Sequence, residues 1–401
     1  MIISFLLMLS LSMTGANLQS DPETYTVTVS AGAFDRTDAI VSFPFPHPVD
    51  DGVYVMENNS NDQVCVQVSD NEGQFILKSL NAGTSSAYKF VNQPVSGELA
   101  GSEVSNQINT RDIAFQSGGK DVLSYFHSKN ELPDGIDQVY QRGGYIHPVY
   151  TPQGTRVTNH MSPGREHHYG IWSAWPNTEF QGRTPDFWNV QSGTGHVIAD
   201  SLDQAWEGPV HGGFRARHQF IDVSAPEPTV ALNEHWKVNV YASPEDESYN
   251  LFDLALTQTA NTGNPLLLPE YRYGGMAFRG HGDWNEEGNR FFFTSEGYIG
   301  HDGDGTLARW THMGGYVDGE LAGFAVLGHP GNYRSPQPAR IPPGEPYFTY
   351  SPVRLGDITI SPGEPYTARF RIITYDGEPD PQKLDRLWND YAYPPGVTVT
   401  E

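Results

Sequence analysis

From Glu23 onward the chain alternates apolar and polar residues in short runs, each closed by a turn signal. That period of two constrains the fold more than any other feature. TYTVTVSAG, GVYVMEN, DQVCVQVSD, GQFILKSL and SAYKFVN each have the length and alternation of a strand. FRARHQFID, HWKVNVYA, YNLFDLALTQTA and YTARFRIITYDG repeat the pattern further on. The 42 glycines and 30 prolines interrupt helices and favour tight turns, and an aromatic content of 12% suits pleated surfaces. One helix is expected, with Asp380 as N-cap, Pro381 in the first position and QKLDRLWNDYA following. It would bury Leu384, Leu387, Trp388 and Tyr391. No repeat of fixed period is present. The expectation is an all-β protein: a large antiparallel β-sandwich, a smaller N-terminal β-sheet region and a short C-terminal helix.

Residues 1–16, MIISFLLMLSLSMTGA, have the apolar run and the small residues Thr14 and Ala16 of a signal peptide, so a periplasmic or secreted protein is expected. Residues 22–105 form the N-terminal β-sandwich region and 106–401 the main domain, with the polar stretch PVSGELAGSEVSNQINTRDIAFQSGGK around the boundary. Cys65 is the only cysteine, which excludes an intrachain disulfide and a cysteine-based zinc site. The formal charge of −24 repels nucleic acid and anionic membranes, and no later apolar run is long enough for a membrane span. Such a surface suits salty surroundings, where a short screening length still admits an anionic substrate if arginines line the site. No nucleophile elbow, P-loop or dinucleotide fingerprint occurs, and no cofactor is expected. Oligomeric state is not legible.

The densest chemistry lies between Tyr145 and Trp188. This stretch holds His147, His160, His167 and His168 with Trp172, Trp175 and Trp188, and Tyr145, Tyr150, Arg165, Glu166 and Asp186 among them. The histidines can serve as metal ligands with Glu166 or Asp186, as acid and base groups, or as hydrogen-bonded members of a β-core. Their spacing matches no HxxxH or HExxH pattern, which favours acid/base work over metal. His167 and His168 are adjacent, so on a regular strand only one of them faces a pocket. Trp172 and Trp188 are flat apolar walls on which a sugar can rest, or core residues.

Positive charge comes from further along. In EYRYGGMAFRGHGDW, Arg272, Arg279 and His281 stand among apolar and glycine residues, with Glu270 and Arg272 expected on one strand face and Tyr271 and Tyr273 on the other. These arginines can hold a substrate carboxylate in a fork, or pair with Glu270. Arg309, His329 and Arg334 form a later group, His329 at a strand end entering a loop. HDGDGT reads as a turn or as a calcium loop without its downstream acid.

GGYIHPVYTPQGTRVT, HHYGIWSAW with DFW, YGGMAFRG, TSEG with GDGTLARW, GFAVLGHPGNYRSP and LWNDYA run in one order over nearly the whole mature chain. Together they resemble the "methane oxygenase PmoA-like" bacterial family, whose function is unknown and whose members occur in carbohydrate-utilisation clusters. Tyr169 and Gly331 depart from the common pattern. The resemblance implies a galactose-mutarotase-like supersandwich, a fold that does not choose among lyase, hydrolase and epimerase chemistry. It also makes Tyr145 and Tyr150, which flank His147, candidates for a Tyr/His pair. The leading expectation is a carbon–oxygen lyase, a dehydratase acting on uronate-containing oligosaccharides of the ulvan type. His167, His168, His329 and Tyr150 are its acid/base candidates. His147, Trp172, Trp188, Arg272, Arg279, His281, Arg309 and Arg334 are its substrate contacts. The alternatives are a glycoside hydrolase or epimerase using Glu270 or Glu234, and a glycan-binding protein without catalysis.

Overall fold

The computed structural model describes residues 23–95, 103–246 and 248–401; the expected leader peptide lies outside them. Alternation produces three large sheets, antiparallel throughout. A seven-stranded N-terminal sheet takes six strands between Thr24 and Val91 and adds Gly396–Thr400 at its edge, paired with Thr24–Ser30. Its two edge strands come back into contact, so it curls around a core of its own built on Tyr25, Phe43, Tyr54, Phe75 and Phe90. Residue 105, near the expected boundary, lies inside strand Val104–Ile108, which belongs to the next sheet.

That next sheet, called here the site sheet, has eight strands. Four of them matter most: Tyr145–Val149, Ile171–Ala174, Gly275–Arg279 and Tyr347–Tyr350, which lie side by side. The back sheet also has eight strands and includes the long strands His211–Asp222, Thr229–Tyr241, Asn250–Ala260 and Tyr366–Asp376. The two sheets pack face to face, and the main core fills the space between them. Ile146, Ile171, Met276, Phe278 and Phe348 point into that core from the site sheet. Their sequence neighbours Tyr145, Trp172, Ala277 and Tyr347 therefore project from the opposite face, where they form a separate aromatic cluster. The fold is the expected all-β sandwich.

The helix runs over Pro381–Ala392, and the Asp380 carboxylate accepts from the backbone N–H groups of Gln382 and Lys383. It buries Leu384, Leu387 and Trp388 on the outer side of the back sheet, beside Trp310, Leu327 and Ile373. Asp390 reaches Arg36 of the N-terminal sheet at 2.8 Å in a buried ion pair. No helix among the described residues is long and apolar enough to cross a membrane.

Inside the core, one polar chain is fully sealed. Tyr125 Oη lies 2.7 Å from His218 Nε2, His218 Nδ1 lies 2.7 Å from Glu234, and Gln258 donates to the other Glu234 oxygen at 2.7 Å. Trp175 donates to Gln258, so this tryptophan belongs to the core rather than to a cleft. Glu234, considered as a catalytic carboxylate, is a buried hydrogen-bond acceptor here.

Candidate functional site

The outer face of the site sheet carries the chemistry. Pairing sets Trp172 opposite Ala277 and Arg279 opposite Tyr347, so indole, guanidinium and phenol emerge on the same side. A small hairpin, His160–Ser162 with Arg165–Tyr169, folds over that face. Its register slips between His160 and Ser162, leaving extra residues on the Arg165–Tyr169 side. That irregularity defeats the expected alternation: His167 and His168 both border one cleft, their rings 4.7 Å apart and edge to face.

The cleft, of about 390 Å³, is open on one side. Tyr347 stands 4.7 Å from His168 between ring centres, and Trp172 lies 5.2 Å behind that imidazole. Trp188 and Tyr273 form the adjoining wall. Trp172 is 0% exposed, so it supports the cleft and is not a platform on which a sugar lies. Asp186 caps the turn that carries Trp188, accepting from the N–H groups of Trp188 and Asn189.

Arg165 grips Glu345 through two hydrogen bonds, Nε at 2.8 Å and Nη2 at 2.6 Å. Arg279, 1% exposed, donates Nη2 to Asn285 at 2.8 Å. Its Nη1 is 3.6 Å from Glu345, close enough for attraction and too far for a hydrogen bond. Arg279 Nε and Nη1, His168 Nδ1 and Trp172 Nε1 are all buried without a hydrogen-bond partner. Three such nitrogens on this sheet face and a fourth on the hairpin over it are unusual, because a buried polar atom left unpaired costs ~1–3 kcal/mol.

Burial pulls Arg279 down to about 10, opposed by the Glu345 carboxylate. His168 is held well below the usual imidazole range by burial first, then by His167, Arg279 and Arg165. His167 is lowered less, by burial and then by Arg165. Tyr347 is pushed up to about 12, again chiefly by burial. At neutral pH the empty cleft therefore holds neutral imidazoles, a protonated phenol and charged guanidiniums.

A second histidine group adjoins the first. His147 and His160 stack at 4.2 Å; His147 Nδ1 meets Thr158 at 2.9 Å and His160 Nδ1 meets Tyr145 Oη at 3.2 Å. His281 caps a short helical turn and sits 3.4 Å from Arg156. Burial lowers His147 strongly, and burial followed by the Arg156 charge takes His160 to about 4. These rings do not gather as metal ligands. Among the described residues only the exposed group Glu23, His47 and Glu401 brings three ligand atoms together.

Several expected contacts stand elsewhere. His329 lies on the helix side of the back sheet, bonded to Arg369 and packed on Tyr391. Arg309 pairs with Glu296 and Asp385 and covers Trp388 on that same side. Arg334 is spent on the carbonyls of Pro352, Gly356 and Asp357. Tyr150 ends its strand near Asp121 and Arg156, outside the cleft lining. Arg272 does border the cleft, but from a loop: the expected strand starts only at Gly275, because Gly274 and Gly275 both take positive φ. Its guanidinium lies over both Tyr271 and Tyr273, not opposite them. Within HDGDGT, Asp304 accepts from Arg340, Arg354 and the Ile341 N–H, so the segment is a structural turn.

The residues missed by sequence reasoning are Glu345, inside the proline-rich turn IPPGEP, and Arg340 and Tyr347, which flank that turn. A signal was present: a lone carboxylate between prolines, directly before the aromatic strand YFTY.

A model for a family of unknown function, DUF6807, matches residues 112–389. None of the curated proteins matches the chain. Among solved structures, a protein in the Glycosyl Hydrolase Family 38 from Enterococcus faecalis is similar at a TM-score of 0.43 and 8% identity. The match covers 94% of this chain and 47% of that one, so the chain spans about half of that protein's length.

Proposed function

The chain belongs to the DUF6807 family, and we propose that it is a carbon–oxygen lyase, a dehydratase of uronate-containing oligosaccharides working in the cleft beside His168. One observation carries this reading: Arg279, His168 and Trp172 hold buried, unpartnered nitrogens at the outer face of the site sheet, where His168 lines the cleft and Arg279 stands behind the lining residue Glu345. They call for a ligand rich in acceptors, and a sugar carboxylate supplies two oxygens in the plane of a guanidinium.

The chemistry follows from that carboxylate. The proton on the carbon next to it is removable once an arginine offsets the charge that develops on the carboxylate oxygens. His168 is neutral in the empty cleft and so is free to accept that proton. Tyr347, protonated and 4.7 Å from His168 between ring centres, is the group we assign to the departing oxygen. If water departs, the product is an unsaturated sugar; if a sugar departs, the chain is cleaved. A cleft of about 390 Å³ holds one or two sugar rings, which favours short substrates and loss of water. The stretches HHYGIWSAW and DFW, which carry part of the sequence resemblance, supply His167, His168 and Trp188 to this wall.

A hydrolase has less support. Glycoside hydrolysis uses two carboxyl groups across the bond, and Glu345 is the only acidic residue lining the cleft, already clasped by Arg165. Export to the periplasm or outside the cell, and action on algal glycans in salt water, belong to the same proposal.

The test is incubation of the protein with a panel of uronate oligosaccharides, followed by ultraviolet absorbance of the conjugated product and by mass spectrometry. A product lighter by one water supports the dehydratase. Absence of both signals across the panel sinks the lyase reading.

A further inference from the structure

Glu345 stands where a ligand carboxylate would be expected. Two of its contacts are the fork from Arg165, at 2.8 and 2.6 Å, and the third is Arg279 Nη1 at 3.6 Å. The Arg279 guanidinium hydrogen-bonds to Asn285, and two of its nitrogens have no hydrogen-bond partner. Glu345 comes from a turn, Ile341 to Pro346, that carries three prolines and Gly344 at φ +77. A side chain built at Gly344 would meet nothing within 4 Å, so the tip of this turn stands in open space. Strand Tyr347–Tyr350 anchors the turn directly behind it.

We propose that Glu345 is a specificity-determining residue: its carboxylate fills the arginine-lined position in the free protein, and only a ligand bringing a carboxylate of its own replaces it. The inference rests on the uronate reading of the cleft and adds what selects that substrate. Without Glu345, Arg165 and Arg279 would face one another uncompensated. A neutral sugar that displaced Glu345 would leave the Arg279 charge, 1% exposed, without its carboxylate, and an unpaired buried charge is strongly destabilising. A uronate exchanges like for like, so the swap is nearly neutral and the rest of the sugar decides the affinity. A bare carboxylate such as acetate makes the same exchange with nothing left to hold it. Rejection of neutral sugars is thus a displacement penalty added to their lack of attraction for the arginines.

The experiment is calorimetric titration of the full chain and its Glu345→Gln and Glu345→Ala variants with D-glucuronate, acetate and D-glucose. Circular dichroism confirms that each variant is folded. Removing the competitor should tighten glucuronate binding by about tenfold or more and bring measurable acetate binding, with glucose unbound throughout. Equal or weaker glucuronate binding in both variants, with the wild type binding it, overturns the role of Glu345 and leaves the uronate reading intact. If neither the wild type nor the variants bind glucuronate, the uronate reading fails and this inference falls with it.

Discussion

His168 joins three properties that seldom coincide in a structural histidine: burial at 2% exposure, a ring nitrogen without a partner, and two arginines close enough to depress its protonation. His168→Gln should lower kcat by about 10²–10⁴-fold, as expected for a lost general base, with KM changing only a few fold. A similar loss in both parameters would instead mark it as a binding residue. Tyr347→Phe removes a single oxygen and should lower kcat while the melting temperature stays close to that of the wild type. Retained kcat would remove Tyr347 from the reaction. His168 was visible in the sequence as one of four histidines in an aromatic stretch, and Arg279 as an ionisable group inside an apolar run. His329, Arg309 and Arg334 had the same local look and went elsewhere. What separates the two sets is which face of which sheet they emerge from, and that depends on strand pairing far apart in the chain. Glu345 and Arg165 are 180 residues apart and meet only because the hairpin and the proline-rich turn cross the same face.

Strands and the helix were legible wherever local chemistry decided them. The Asp380–Pro381 start of the helix needed only a cap and a residue that prefers the first turn. The Arg165–Tyr169 strand was not legible, since its slipped register is set by the hairpin partner and not by its own alternation. Loop 270–274 was misread as strand because alternation was counted across Gly274, whose φ of 144 no regular strand takes. The helix also fastens the N-terminal sheet: Arg36 donates to Asp390 at 2.8 Å, to the Tyr393 carbonyl at 2.8 Å and to the Ala31 carbonyl at 2.9 Å. Asp390→Ala leaves that guanidinium buried without its counter-ion and should cost ~3–5 kcal/mol. Chemical denaturation should show the loss as a lower midpoint, and an unchanged midpoint would mean that the pair contributes nothing net.

At the level of the whole molecule, buried imidazoles govern the acid limit. Burial takes His211 to about 4 and His312 to about 3, and His168 falls well below its usual range. Above the unfolded imidazole value neither state is protonated and these groups are neutral to stability. As pH falls below that value, the unfolded chain binds protons that the folded chain refuses. Stability is then lost down to the folded values, at up to ~1.4 kcal/mol per pH unit for each such histidine. The melting temperature should therefore drop steeply between about pH 6 and pH 4, and a flat profile there would contradict the burial of these rings. The sandwich was legible as a class, but the seat of the last strand was not. Gly396–Thr400 pairs residue for residue with Thr26–Ser30 and covers the free edge of that strand. Assembly order follows from that pairing. Thr24–Ser30 and its neighbour Ser85–Val91 are made well before Gly396–Thr400, so one edge of this sheet stays unpaired until that later strand arrives. During that interval the nascent chain offers a sticky template to any passing extended peptide, including another copy of itself.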